Sequence, residues 1–108
     1  MPQLRKVLAQ VEMTANTSTD IYTVPDGTEA EVVVVICNRT NGAQSFRLSL
    51  AVAGATLDTK QYLYFDTSIA ANDSKVADIG IRLQARDVVR AYVSDTAMTV
   101  SALGSEFT

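Results

Sequence analysis

Apolar and polar residues alternate with a period of two along most of this chain, in short segments set apart by turn residues. Side chains of a β-strand point to opposite faces in turn, so this period predicts strands. The stretch from Glu31 to Gly42 departs from it. Val32 through Ile36 is an unbroken β-branched run, ending at Cys37-Asn-Arg-Thr and then Asn41-Gly42. Branching at Cβ favours extended backbone, and an unbroken apolar run means that neither face of the strand is fully open to water. Parity divides the run. Val32, Val34 and Ile36 share the face expected to be core. Val33, Val35 and Cys37 share the other face with Glu29, Glu31 and Arg39, whose charges mark it as outward. This apolar outer patch needs a cover, either the protein's own N-terminal segment and sheet flank or a neighbouring subunit.

The same reading predicts a strand over Arg5–Glu12, with Val7, Ala9 and Val11 on one face. A short strand follows at Asp20–Val24, and Pro25-Asp26-Gly27 is expected to reverse the chain with proline at the first central position. Asn41-Gly42 predicts a hairpin from the valine strand into an alternating strand with Phe46, Leu48, Leu50 and Val52 inward. In Lys60–Thr67, Leu63 and Phe65 suit the core, which leaves Tyr62 and Tyr64 outward. Tyrosine is favoured where one end is buried and the other wet, so Tyr62 and Tyr64 join Val33, Val35 and Cys37 as candidate protein–protein interface residues. After the turn Ala71-Asn72-Asp73, Lys75–Leu83 brings Ile79, Ile81 and Leu83 to one face. Asp87–Ser94 sets Val89, Ala91 and Val93 against Arg90 and Tyr92. Asp95-Thr96 is expected to close a hairpin onto Ala97–Leu103. About eight short strands with no convincing helix predict an all-β sandwich or barrel.

Length adds that the 108 residues make one domain, 1–108, with residues 1–14 an N-terminal strand or a swapped arm. Net charge is −3 and the nine basic residues are scattered, with no basic patch for nucleic acid. The N-terminal segment is too short and too polar for a signal peptide, and no run approaches membrane-spanning length. Folding in a cytosol is therefore the expectation. On that basis the Asn-x-Ser/Thr sequons at Asn16, Asn38 and Asn72 are chance. Cys37 is the only cysteine, so no internal disulfide forms, and it is expected to act as a small hydrophobe.

Candidate chemistry changes the picture little. The chain has no histidine, which removes the commonest general base and the commonest transition-metal ligand. No phosphate loop, nucleophile elbow, calcium loop or zinc pattern is present, so no cofactor and no metal are expected. Asp66, Asp73, Asp78 and Asp87 could in principle supply a carboxylate pair for glycoside hydrolysis, but each falls at a strand end or turn, where aspartate has structural reasons to be. The expectation is a protein that is not an enzyme. A sugar-binding module would have to rely on Tyr22, Tyr62, Tyr64 and Tyr92, because tryptophan is absent.

Six phrases, taken in order, carry a resemblance. They are Ile21-Tyr-Thr-Val-Pro25, Val35-Ile-Cys-Asn-Arg39, Tyr62-Leu-Tyr-Phe-Asp66, Ile69-Ala-Ala-Asn-Asp73, Leu83-Gln-Ala-Arg-Asp-Val-Val89 and Gly104-Ser-Glu106. From about Leu8 onward the chain resembles a family of small virion proteins of tailed bacteriophages that infect cyanobacteria and marine bacteria. The resemblance implies an immunoglobulin-like or jelly-roll antiparallel sandwich with a structural role and no catalytic residues. It implies a place in the virion, assembled in the host cytoplasm, in the head–tail, tail or fibre region, or else as a decoration on the capsid. Its partners would be copies of itself and other virion proteins, and a host surface glycan in the adsorption apparatus is the further alternative.

Overall fold

The computed structural model describes residues 3–108, so the first two positions of the segment 1–14 lie outside the described residues. The strands are β1 (Gln3–Glu12), β2 (Thr19–Thr23), β3 (Glu29–Asn38), β4 (Gln44–Ala51), β5 (Tyr62–Ile69), β6 (Ser74–Leu83), β7 (Val88–Val93) and β8 (Met98–Phe107). Each expected strand is present, and the last continues to Phe107 rather than stopping at Leu103. They form two antiparallel sheets, ordered β1-β8-β3-β6 and β2-β7-β4-β5. This is a β-sandwich, and its strand order is that of a jelly roll rather than an immunoglobulin domain. β1 is a strand of the sandwich, paired with β8 of its own chain.

The two expected hairpins do not form. β3 and β4 lie in different sheets, as do β7 and β8, so Asn41-Gly42 and Asp95-Thr96 are crossings between layers. The physical reason is that β3 is already paired on both sides, with β8 and β6, and has no free edge for β4. Gly42 accordingly does not take the positive φ that a two-residue hairpin turn needs. The Pro25 turn also shifts by one position. Thr28 N donates to Pro25 O at 3.2 Å and Gly27 has φ +72°, so Asp26 and Gly27 are the central pair.

The core lies between the sheets and includes Val34, Ile36, Phe46, Leu48, Val89, Val93 and Val100, all fully buried. Val32, Val34 and Ile36 face it as parity requires. Asn38, the last residue of β3, is fully buried as well. Its Nδ2 donates to Gly42 O, Ile69 O and Ala70 O at 3.0–3.2 Å, and its Oδ1 accepts from Thr40 N at 2.9 Å. One amide thus ties the β3–β4 crossing to the β5–β6 corner. Gly104 permits another close approach, since a Cβ there would collide with the carbonyl oxygen of Glu31 on the neighbouring strand.

Register is regular where central strands meet and irregular at every edge. β3 pairs with β8, and β4 with β7, without a shift. The pairings that involve the outermost strands β1, β2, β5 and β6 all contain one. One extra residue reverses parity, and a two-residue bulge turns a side chain out without reversing it; these irregularities account for three departures from the expected faces. In β1 the shift falls between Val7 and Ala9, so Ala9 and Val11 pack on the core while Val7 turns outward and is 54% exposed. In β6 the pairing shifts between Arg82 and Asp78, with Gly80 at φ +79° and its N–H bonded to Asp78 Oδ1 at 2.9 Å. Leu83 stays buried but Ile81 is exposed. In β5 two shifts flank Tyr64, and Asp66 takes φ +49°. Tyr64 therefore packs inward against Phe46, with ring centroids 5.4 Å apart, while Leu63 and Phe65 face solvent. The expected orientations of Tyr64, Leu63 and Phe65 are the reverse of those observed.

Candidate functional site

The five candidate interface residues fall on opposite sides of the molecule. Val33, Val35 and Cys37 lie half-buried on the outer face of the β1-β8-β3-β6 sheet. Tyr62 belongs to the other sheet, and Tyr64 is turned into the core. The structure does not bring the two groups together.

Directly paired residues share a face, so the first surface can be laid out row by row. Leu103 of β8 lies between Val7 of β1 and Val33 of β3. One row above, Ser105 lies between Arg5 and Glu31, and one row below, Ser101 lies between Gln10 and Val35. Val35 in turn pairs with Val76 of β6, which is 61% exposed. An apolar band therefore crosses the face from Val7 to Val76. Among the described residues no strand is layered over it, because all eight strands are used in the two sheets. Beside the band, between β3 and β6, is an open depression of about 360 Å³ lined by Glu31, Val33, Asp78, Gly80, Ile81 and Ser105.

Most charges around this face are already engaged. Glu12 pairs with Arg39 at 3.2 Å and Glu29 with Arg82 at 3.3 Å. The Arg82 guanidinium also lies 3.9 Å above the Phe107 ring. Arg5 and Glu31 are both exposed, and neither has an ion-pair or side-chain hydrogen-bond partner among the described residues.

The outer face of the second sheet carries an aromatic cluster. The Arg47 guanidinium sits between two rings, 4.2 Å from the Phe65 centroid and 4.4 Å from that of Tyr92. Its Nε donates to Asp66 Oδ1 at 2.7 Å, and this bond raises the Arg47 pKa further above its ordinary value. Tyr62 meets Phe65 edge-on at 4.9 Å, and a shallow apolar notch of about 290 Å³ opens beside Thr59, Tyr62 and Phe65. Of these residues the sequence pattern names Tyr92 only as one of four tyrosines available to a sugar and Phe65 only as core, and it gives Arg47 no role. Arg47 and Tyr92 do occupy outward positions of alternating strands, but only the order β7-β4-β5 makes them neighbours.

Several further ionisable groups hold the fold. Asp87 accepts from Ala53 N and Gln84 N, both at 2.9 Å, and Asp73 accepts from Ser74 N at 2.8 Å. With Asp66 on Arg47 and Asp78 on Gly80, each of the four candidate carboxylates is committed to a turn, a bulge or an ion pair. Between the sheets, the Tyr22 hydroxyl of β2 donates to Glu106 of β8, which also meets Lys6 of β1 at 3.0 Å. Burial, and then the bond to Glu106, raises the Tyr22 pKa. The same hydrogen bond holds the Glu106 carboxyl below its usual value. Cys37 is a free, half-buried thiol on the outer face of β3.

No protein-family model matches this chain, and no curated protein matches it either.

Proposed function

We propose that this protein is a non-catalytic structural part of a tailed-phage virion, assembling through protein–protein contacts in the head–tail, tail or fibre region. The observation that carries the reading is the uncovered apolar band Val7–Leu103–Val33–Val35–Val76 across one face of a small sandwich. Contiguous apolar surface on a soluble domain marks an interaction site more often than scattered exposed residues do. The ordered phrases from Ile21 to Glu106 support the placement in a virion, and a capsid decoration is the same part in a different position. The irregular registers of β1, β2, β5 and β6 favour faces over edges as the contact, because a bulged edge is a poor template for a further strand.

The test is Val33→Glu or Val35→Glu. Each side chain is outward and half-buried, so the variant should fold with an unchanged circular dichroism spectrum and lose self-association or virion incorporation. If Val33→Glu yields an unfolded monomer, the face is intramolecular core and the reading fails.

One observation favours a second reading, a host-glycan-binding module. The notch beside Thr59, Tyr62 and Phe65 offers rings to the apolar face of a sugar. Binding of host polysaccharide that disappears in Phe65→Ala, with assembly intact, is the expected outcome. Absence of any affinity at millimolar sugar excludes this reading.

A further inference from the structure

We infer that the partner covering the β1-β8-β3-β6 face is a second copy of this chain, related by a two-fold axis running along β8. The inference rests on the assembly reading above and names its partner and geometry. Its basis is the arrangement of the face about β8. Ser105 has Arg5 on one side and Glu31 on the other, and in the next row Leu103 has Val7 on one side and Val33 on the other. A two-fold axis lying in the interface along β8 exchanges the β1 column with the β3 column at constant height. Arg5 of each copy then lies over Glu31 of its mate, Val7 lies over Val33, and Leu103 meets Leu103.

The complementarity is in charge and in shape. Arg5 and Glu31 are the charges that flank β8 directly in these rows, with Arg82 and Asp78 one column further out on β6; they are opposite in sign, and they lack partners among the described residues. The depression between β3 and β6 is lined by Glu31 and Asp78 together with Val33 and Ile81. Under this axis it receives the β1 side chains of the mate, an arginine and a valine, so acid meets base and apolar wall meets apolar tip. A two-fold interface must be self-complementary in this way, each patch meeting its own copy. Face-to-face sheets align within about 30°, which keeps columns adjacent to the axis in register.

Area sets the strength. Strands of ten residues rise about 33 Å, and the three columns that face their mates, at about 4.8 Å each, give roughly 500 Å² per copy. The total, about 1,000 Å², lies at the lower limit for a specific interface. The dimer should therefore form and dissociate with concentration.

The experiment is a charge exchange read by analytical ultracentrifugation of the full chain. Arg5→Glu and Glu31→Arg should each weaken self-association by about tenfold or more, since like charges then face each other. The double variant Arg5→Glu/Glu31→Arg should recover to near the wild-type constant, because the exchanged charges again meet their opposites. Both sites are exposed, so the fold is preserved, and circular dichroism checks this. A wild-type oligomer indifferent to all three variants overturns the β8 axis while leaving the assembly reading standing. Equal loss in the double variant does the same. A wild-type chain that stays monomeric at millimolar concentration and is absent from particles overturns both.

Discussion

Glu106 shows how much one side chain does in a sandwich of this size. It stands on β8, accepts from Tyr22 on β2 and pairs with Lys6 on β1, so it links the two sheets. Its carboxylate is only 13% exposed, and the bond from Tyr22 keeps its pKa below the ordinary 4.5. A carboxyl whose pKa is lowered by folding stabilises fully above the unfolded value, and that contribution is lost as pH falls through the folded value. Glu106→Gln should therefore be less stable than wild type by about 1–2 kcal/mol at pH 7, and the difference should shrink well below pH 4. Tyr22 works in the opposite sense. Its pKa is raised above 10, so its contribution holds below pH 10 and is lost only as the pH rises further. Urea titrations of both proteins at pH 7 and pH 3 give the answer, and an equal gap at the two values would contradict this account. Nothing in the sequence singles out Glu106 for this role, because its partners lie 84 and 100 positions away.

At the scale of elements, strand existence was legible and strand parity only partly so. The five-residue run Val32–Ile36 lies in β3, whose pairing with β8 is regular along its length, and there the alternation could be followed without error. β5 defeated the same reasoning. Tyr62-Leu-Tyr-Phe is apolar at every position, so either parity satisfied the pattern. The deciding residue was Asp66, held at φ +49° and bonded to Arg47 across the strands. The outcome has a measurable consequence. Tyr64→Ser should cost about 3 kcal/mol, because its ring packs on Phe46 in the core, whereas Leu63→Ser should cost under about 0.5 kcal/mol. A larger loss for Leu63→Ser than for Tyr64→Ser in thermal denaturation would mean that β5 has the expected parity after all. The bulges in β1 and β6 also upset the alternation, turning Val7 away from the face of Ala9 and Val11 and Ile81 away from that of Ile79 and Leu83.

For the whole molecule, an all-β sandwich of about eight strands could be read from spacing, but its wiring could not. Turn residues mark where a strand stops. They do not say whether the next strand pairs with it or crosses to the other layer. Asn41-Gly42 has the composition of a hairpin and serves as a crossing, because long-range pairing of β3 with β6 and β8 outweighs a local turn preference. The candidate surface was legible to the same depth: Val33, Val35 and Cys37 could be named from β3, but not Val7, Leu103 or Val76, which only the sheet order places beside them. That order also governs how the chain can come into being. β8, the last strand in sequence, lies between β1 and β3. Until Met98–Phe107 leaves the ribosome, the first sheet lacks the strand that joins its halves, and among the described strands β4–β5 is the one consecutive pair that is bonded together. Before then β1 and β3 lack the partner that each has on its inner edge, so the first sheet can only be completed late. Such non-local pairing should make folding slow, with the unpaired edges of β1 and β3 exposed to aggregation until β8 is in place.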